Sequence, residues 1–449
     1  MASPSNREFF RTFARIAALS FGGPAGQIAV MHRILVDEKK WIGEERFLHA
    51  LNFCMLLPGP EAQQLAIYIG WLLHRTRGGL IAGTLFVLPG ALAIMALSWL
   101  YVLVGHAAPI AGLLFGLKAA VVAIVFQAVV RIGLRALGNG IRRMVAVLAF
   151  LSLFFLHIPF PLVILAAGLI GWVSARSGAE VFRGGGHAAV QSGAVRDEDS
   201  LLGTGIPDHA RSGHRGVIAI LAALIGVWLA PLVVIAIFAP KDSAFVQIGF
   251  FFSKMAMLTF GGAYAVLSWV GQSAVDHYHW LSPREMLDGL GLAESTPGPL
   301  IMVTQYVGFL AAYRHPAGLP PLLAGTLGGL LTTWVTFIPC FLGIFAGAPF
   351  IERLRENRAL AGALAAITAA VVGVILNLAV WFALHYWFGR IADRRAGPFT
   401  LPIPDLGTID WFAALLSLVA LAAMVRFRFG TFSILGVCSL AGLAWVLVV

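Results

Sequence analysis

Two short motifs, each present twice in this chain of 449 residues, have the residue types to bind an anion. Phe-Gly-Gly at Phe21–Gly23 precedes Pro-Gly-Pro at Pro58–Pro60, and both return 239 residues later, at Phe260–Gly262 and Pro297–Pro299. Glycine and proline interrupt an apolar helix, and the broken end exposes backbone N–H groups and the positive end of a helix dipole. Such an end can bind an anion without a cationic side chain.

The duplication extends beyond the motifs. The same offset pairs Asp37 with Asp276 and Trp41 with Trp280, and an Asp in a polar stretch before a Trp is typical of a membrane-interface anchor. Close glycine packing between helices would explain one motif, but two copies in register favour a substrate site, as in transporters built from two broken-helix halves. We therefore expect substrate contacts from Gly22, Gly23, Gly59, Gly261, Gly262 and Gly298, and helix breaks at Pro58, Pro60, Pro297 and Pro299.

A basic residue recurs before each Phe-Gly-Gly motif, Arg15 in the first copy and Lys254 in the second. A charge at bilayer depth costs about 2.5–3.5 kcal/mol on insertion scales, so its presence indicates a partner or a bound anion. Snorkelling of the side chain to a nearby interface is the alternative. Gln64 and Gln305 offer neutral hydrogen bonds on the helices that follow the Pro-Gly-Pro motifs. We expect these four residues to contribute to substrate binding.

Glu61 directly follows Pro60, in the first turn of the predicted new helix. A carboxylate at this position caps backbone N–H groups and favours the helix dipole. It could equally be a proton carrier, or a gate that competes with the anion, so Glu61 is the candidate for proton coupling. The matching position is Leu300, which makes any such role asymmetric. Lys118, matched by Thr368, is another lone charge inside an apolar helix.

The composition is that of a membrane protein: 59% of the residues are hydrophobic, 12% are charged, and the mean hydropathy is +0.87. Backbone groups cannot face lipid unpaired, so the runs of about 20 apolar residues predict an all-α polytopic bundle. The net charge of +10 comes from Lys and Arg in short stretches between these runs, which excludes a nucleic-acid partner. Three cysteines without metal-ligand spacing predict neither a metal site nor a cofactor. These runs lie at residues 80–104, 110–130, 217–239, 319–347 and 359–388.

One hydrophilic stretch divides the chain. Residues 176–216 are rich in Gly, Ser, His and charges of both signs and show no helical periodicity, so they form a predicted linker. We expect a first repeat at residues 6–175, a connecting transmembrane helix at 217–239 and a second repeat at 240–449.

Basic residues predict that the two repeats have opposite orientations. Residues 1–78 hold nine Lys and Arg, whereas the matching stretch 240–318 holds four. By the positive-inside rule these stretches face opposite sides, and the helix at 217–239 supplies the change of parity. Three arginines at positions 390, 394 and 395 argue against this scheme for the last third. The interrupted segments are either full spans or re-entrant hairpins; the charge distribution favours hairpins, buried by surrounding protein.

The motifs resemble those of the chromate ion transporter (CHR) family, whose two-domain members carry an FGGP-type and a PGP motif in each half. The first copy reads SFGGP at Ser20–Pro24 and LPGPEAQQ at Leu57–Gln64. The second reads TFGGA at Thr259–Ala263 and STPGP at Ser295–Pro299, without the proline after its glycine pair. The resemblance covers essentially the whole chain. It implies a multi-pass protein of the bacterial inner membrane that exports chromate, is driven by the proton-motive force and confers chromate resistance.

Two alternatives remain open. Sulfate is a tetrahedral dianion of similar size, so a sulfate or other oxyanion carrier fits the same residues. An intramembrane enzyme acting on a lipid phosphate would need a cluster of acid, base or nucleophile, and no Ser/His pair repeats here, so we expect no catalytic residues. The expected partners are the oxyanion and the lipid bilayer, and a homodimer is left open.

Overall fold

The computed structural model describes residues 4–105, 107–177, 182, 195–204, 214–240, 242–260, 262–348 and 358–448. The described chain is almost entirely helical, and six of its helices are long and apolar enough to cross a membrane. This confirms the predicted all-α polytopic membrane protein. The first half holds α1 (Asn6–Leu19), α2 (Gly23–His32), α3 (Glu44–Cys54), α4 (Glu61–Val104), α5 (Ala108–Ala136), α6 (Gly140–Phe154) and α7 (Phe160–Arg176).

The remaining helices follow the hydrophilic stretch. They are α8 (His214–Phe238), α9 (Ala244–Met257), α10 (Ala263–Gln272), α11 (Pro283–Ser295), α12 (Val303–Arg314), α13 (Pro321–Gly347), α14 (Arg358–Trp387), α15 (Trp411–Arg426) and α16 (Thr431–Val448). A small antiparallel hairpin of β1 (Ile391–Ala396) and β2 (Phe399–Pro404) joins α14 to α15. Its turn contains Gly397, whose φ of +62° is available to glycine at little cost.

The chain forms two compact units, each containing segments from both halves of the sequence. Unit 1 comprises Met1–Ala96, Gly185–Ala263 and Thr296–Glu356. Unit 2 comprises Leu97–Gly184, Tyr264–Ser295 and Asn357–Val449. The boundaries of the two sequence repeats, and their opposite orientation, stay predictions.

The elements around the motifs are built alike in the two halves. Both α2 and α10 continue into a short π-helical turn, at Arg33–Glu38 and Ser273–His277. After each turn a buried Trp donates its backbone N–H over 2.8 Å, Trp41 to the carbonyl of Leu35 and Trp280 to that of Ala274. Because these indoles are only 4% and 1% exposed, they pack inside protein, and the expected interface anchors are wrong.

The helices beside the motifs are short. α1, α2, α3, α11 and α12 have between 10 and 14 residues, or about 15–21 Å at 1.5 Å per residue. α4 is interrupted at His74 and Arg75, so its first arm covers only residues 61–73. None of these pieces alone crosses a hydrocarbon core of about 30 Å, so each interrupted segment is either a span broken in its middle or a re-entrant hairpin.

Glycine lets the first arm of α4 fold back against the second. A Cβ on Gly70 would lie 2.6 Å from the carbonyl oxygen of Gly78, so the two backbones touch. The second half has the same arrangement, where a Cβ on Gly328 would lie 2.6 Å from the carbonyl oxygen of Gly308. Small residues allow this close approach of helices. Each Pro-Gly-Pro break is therefore followed by a short helix that packs closely against a long helix.

Candidate functional site

Within unit 1, each Phe-Gly-Gly break is hydrogen-bonded to the Pro-Gly-Pro break of the other repeat. The N–H of Gly298 donates to the carbonyl of Ser20 at 2.8 Å, and the N–H of Gly59 donates to the carbonyl of Thr259 at 2.9 Å. Ser20 matches Thr259 and Gly59 matches Gly298 in the duplicated sequence. The two bonds are therefore reciprocal, as expected of two copies related by a pseudo-two-fold axis. The crossed bonds thus pair each glycine break with the proline break of the other repeat, and both pairs lie in unit 1.

The hydroxyl groups of Ser20 and Thr259 end the preceding helices. Ser20 Oγ donates to the carbonyl of Ile16 at 2.6 Å, and Thr259 Oγ1 donates to that of Met255 at 2.7 Å. A side chain bonded four residues back competes with the helical ladder and bends it. Both residues are buried. The backbone carbonyl groups of Ser20 and Thr259 accept instead from Gly298 and Gly59 of the opposite repeat.

The motif glycines adopt backbone conformations that other residues rarely take. The φ angles of Gly22, Gly23, Gly59, Gly262 and Gly298 are +78°, +70°, +126°, +96° and +97°, and the absence of Cβ makes this left-handed region accessible. A Cβ on Gly22 or Gly23 would meet nothing within 4 Å, so open space adjoins the first glycine pair. On Gly59 it would meet Gln64 Nε2 at 2.8 Å and Cys340 Sγ at 2.9 Å. Gly261 lies outside the described residues.

Glu61 begins α4 and faces the second glycine pair. Its Oε1 lies 4.0 Å from the position that a Cβ of Gly262 would take. The carboxyl group therefore sits where the first Pro-Gly-Pro break meets the second Phe-Gly-Gly break. At the matching position the buried Leu300 begins a single 3-10 turn, Leu300–Met302, before α12. The two half-sites consequently differ by one ionisable group.

Gln64 and Gln305 are fully buried and hold backbone carbonyls. Gln64 Nε2 donates to the carbonyl of Pro58 at 2.6 Å, which fixes the first Pro-Gly-Pro turn. Gln305 Nε2 donates to the carbonyl of Ala91 at 2.9 Å, and its Oε1 accepts from Thr333 at 2.9 Å. Gln64 retains one carbonyl oxygen without a hydrogen-bond partner among the described residues.

Two further glutamines lie at the breaks, and the sequence patterns missed one of them, Gln27. Gln27 Nε2 donates to the carbonyl of Gly298 at 2.5 Å, so both backbone polar groups of Gly298 are hydrogen-bonded to the first repeat. Gln63, in the first turn of α4, is fully buried, and neither its amide oxygen nor its amide nitrogen has a described hydrogen-bond partner. The matching residues are Val266 and Met302, so the duplication carries no signal for either glutamine.

The recurrent cations lie on α1 and α9, and both side chains are exposed. Arg15 Nη1 is 2.6 Å from Glu38 Oε2. It lines a cleft of about 410 Å³ with Arg7, Arg11 and Lys39. Lys254 comes five residues before Thr259, whose carbonyl accepts from Gly59. Neither cation is buried at the glycine breaks.

Comparison with known proteins identifies the family. The model of a family described as "Chromate transporter" matches residues 7–172 and 246–443. The chain is 28% identical to the chromate transport protein of Cupriavidus metallidurans, over 94% of this chain and 88% of that one. It is 31% identical to the chromate transport protein of Pseudomonas aeruginosa, over 82% of this chain and 79% of that one. No solved structure matches the chain. On this evidence the chain belongs to the chromate transporter family.

Proposed function

We propose that the protein exports chromate across the cytoplasmic membrane and that the crossed breaks of unit 1 are its anion site. The reciprocal hydrogen bonds of Gly59 and Gly298 carry this proposal, because each joins the glycine break of one repeat to a helix beginning of the other. A helix N-terminus supplies about half a positive charge together with unpaired N–H donors. Two such ends provide about one positive charge for a tetrahedral dianion. The substrate named for the relatives is chromate.

The charge of the substrate supports export. One elementary charge that crosses a potential of 100 mV changes its free energy by about 2.3 kcal/mol. The free energy of a dianion therefore falls by about twice that amount when it leaves a negative interior. The potential of the cytoplasmic membrane therefore drives chromate outward. Removal of chromate from the cytoplasm would confer chromate resistance.

Glu61 is the proposed group through which pH acts on anion binding. An ionised carboxylate beside Gly262 would repel an incoming dianion, whereas the neutral acid would not. Anion binding and protonation of Glu61 would then favour each other by the same factor, because linkage is reciprocal.

Uptake of labelled chromate and sulfate into inside-out vesicles tests this function. The cytoplasmic face is then outside, and a proton pump makes the interior positive. We expect chromate to accumulate and a protonophore to abolish the accumulation. Uptake of sulfate in preference to chromate would identify the protein as a sulfate carrier, and uptake of neither would refute the function.

Neutralising Lys254 should raise the apparent KM for chromate, since about one unit of helix-dipole charge does not balance a dianion. Lys254→Met should lose most of the transport, by roughly tenfold or more in kcat/KM, whereas Lys254→Arg should keep part of it. Initial uptake rates at varied chromate concentration provide the measurement. Wild-type KM and rate in Lys254→Met would show that backbone dipoles hold the ion and that Lys254 only snorkels.

A further inference from the structure

Unit 2 contains a buried ion pair that the anion site does not use. Lys118 Nζ on α5 lies 2.7 Å from Asp288 Oδ1 on α11, and the two side chains are 12% and 7% exposed. The hydroxyl of Tyr101, near the end of α4, donates to Asp288 Oδ2 at 3.1 Å. The carboxylate is thus held by one cation and one phenol.

The position of Lys118 places this cluster at membrane depth. Lys118 comes 10 residues after the first residue of α5 and 18 before the last, or about 15 Å and 27 Å along the helix axis. α5 is one of the helices long and apolar enough to cross a membrane. Its ammonium group is paired inside the protein, so snorkelling does not explain it. An intramembrane charge that is paired in this way indicates function.

Stability gives no reason to retain the pair. Replacing a buried ion pair by apolar residues of similar volume is often neutral, or stabilises by about 1–4 kcal/mol. The other repeat has Thr368 in place of Lys118 and His49 in place of Asp288, so the repeated fold is built there without this pair.

The donors around Asp288 suit two protonation states. A tyrosine hydroxyl can donate to a carboxylate and can equally accept from a carboxylic acid, whereas an ammonium group only donates. When Asp288 is ionised, Lys118 and Tyr101 both donate to it, as the structure shows. When it is protonated, its O–H has Tyr101 as an acceptor and the ion pair is broken.

We propose that Asp288 takes up and releases one proton in each transport cycle, with Lys118 as the charge that favours release. The inference rests on the proposed function. Uptake of a proton on Oδ2, the oxygen beside Tyr101, converts an ion pair of zero net charge into a neutral acid beside an ammonium group, a gain of one positive charge at membrane depth. Release of the proton restores the pair.

Other groups near Asp288 are less suited to this role. Glu285 lies one turn earlier on α11, where it accepts from the backbone N–H of Ser282 at 2.8 Å. Tyr386 on α14 donates its hydroxyl to the carbonyl of Phe115 at 2.8 Å. Ionisable groups of Asp410, Arg284 and, on α16, Cys438 lie in the surroundings of Tyr386. Asp288 is paired with a buried ammonium group and accepts from a phenol as well.

The chain connects this cluster to the anion site. α11 continues from Asp288 to Ser295, and the second Pro-Gly-Pro motif begins two residues later at Pro297. α4 starts at Glu61 and reaches Tyr101 near its other end. Asp288 therefore lies on one helix, and accepts a hydrogen bond from another, that adjoins a Pro-Gly-Pro motif in the sequence.

Proteoliposomes with a pH-sensitive dye inside would test the proposal with Asp288→Asn, Lys118→Met and the double variant Lys118→Met/Asp288→Leu. For Asp288→Asn we expect loss of chromate-evoked proton movement, by at least about tenfold, with exchange of labelled for unlabelled chromate at wild-type rate. Glu285→Gln, a carboxyl-to-amide change on the same helix, is the matched control and should keep both activities.

The double variant separates a proton carrier from a structural pair. It removes both charges together, so it leaves no unpaired charge to destabilise the fold. We expect it to insert, bind and exchange chromate, yet move no protons. Chromate-evoked proton movement at the wild-type rate in this variant would overturn the proposal, and so would proton-independent transport by the wild-type protein. Absence of any chromate transport by the wild type would refute the proposed function itself.

Discussion

At the scale of single residues, the first glycine pair offers the clearest test of the anion site. Gly22→Leu should lower chromate transport by at least about tenfold, because the side chain would fill the open space beside backbone donors. Gly318→Leu is the matched control. Gly318 has a φ of +86° against +78° for Gly22, and neither would meet an atom within 4 Å. Both variants therefore bear a similar backbone strain of about 1–2 kcal/mol.

The comparison is made by vesicle uptake together with the amount of protein inserted in the membrane. Equal uptake by the two variants would make Gly22 a packing residue. If neither variant inserts in the membrane, the loss of transport results from backbone strain.

Replacement of Glu61 should change the response of binding to pH. In Glu61→Gln the carboxylate that repels the dianion is absent, so chromate should bind roughly tenfold tighter at neutral pH, which corresponds to about 1.4 kcal/mol. The part of the pH dependence of affinity that comes from Glu61 should disappear. Equilibrium binding between pH 5 and 8 gives both quantities. A fall in stability with an unchanged pH profile would mean that Glu61 only caps α4.

Duplication decides which site residues the sequence reveals. Gly22, Gly59 and Gly298 are visible because glycine recurs in register and proline marks the break. Gln27 has no polar counterpart, and its partner Gly298 is 271 residues away, so no local pattern indicates the contact. The same holds for Lys118 and Asp288, which are 170 residues apart. Long-range pairs of unlike residues leave no periodic signal in one sequence.

At the scale of elements, α4 supports the second Pro-Gly-Pro break through Gly90. A Cβ on Gly90 would lie 2.6 Å from the carbonyl oxygen of Pro297. Gly90→Ala should therefore displace the break and lower transport severalfold, although alanine favours a helix by about 1 kcal/mol over glycine. The matched control is Gly226→Ala on α8, where the added Cβ meets nothing within 4 Å. Uptake rates and thermal unfolding of both variants provide the measurement.

Gly90→Ala with wild-type uptake would show that the break tolerates displacement. Lower uptake in Gly226→Ala as well would point to a general effect of alanine in these helices.

Helix boundaries at the breaks follow from proline and glycine, whereas the fold-back does not. Pro60 fits the start of α4 at Glu61, since proline suits the first turn of a helix. The reversal at His74 and Arg75 carries neither glycine nor proline, and Arg75 adopts a φ of +56°. In the second half a loop with His315–Pro321 marks the matching place, so only that turn is evident in the sequence. Tertiary packing, here through Gly70 and Gly78, overrides local propensity in the first half.

At the scale of the whole molecule, the nine-to-four distribution of basic residues predicts opposite orientations for the two repeats. With Cys54, Cys340 and Cys438 replaced, a cysteine introduced at Asp37 or Ser177 should react with an impermeant maleimide from the cytoplasmic side. One at Asp276 should react from outside. Labelling in right-side-out and inside-out vesicles gives the measurement.

Reaction of Asp37→Cys and Asp276→Cys from the same side would refute the inverted repeat. Labelling of both cysteines from the sides opposite to those expected would favour full spans for the interrupted segments.

The exchange of hydrogen bonds between the repeats also bears on how such a chain could arise. Ser20 is completed by Gly298, and Thr259 by Gly59, so neither repeat finishes its own breaks. In a half-length ancestor, the glycine N–H of the Pro-Gly-Pro motif would have had no such acceptor until two copies formed a symmetric dimer. Each copy would then have supplied the same donor and the same acceptor to the other. Duplication of the gene would have let the two copies diverge, to Glu61 in one and Leu300 in the other, and fusion would have made their pairing permanent.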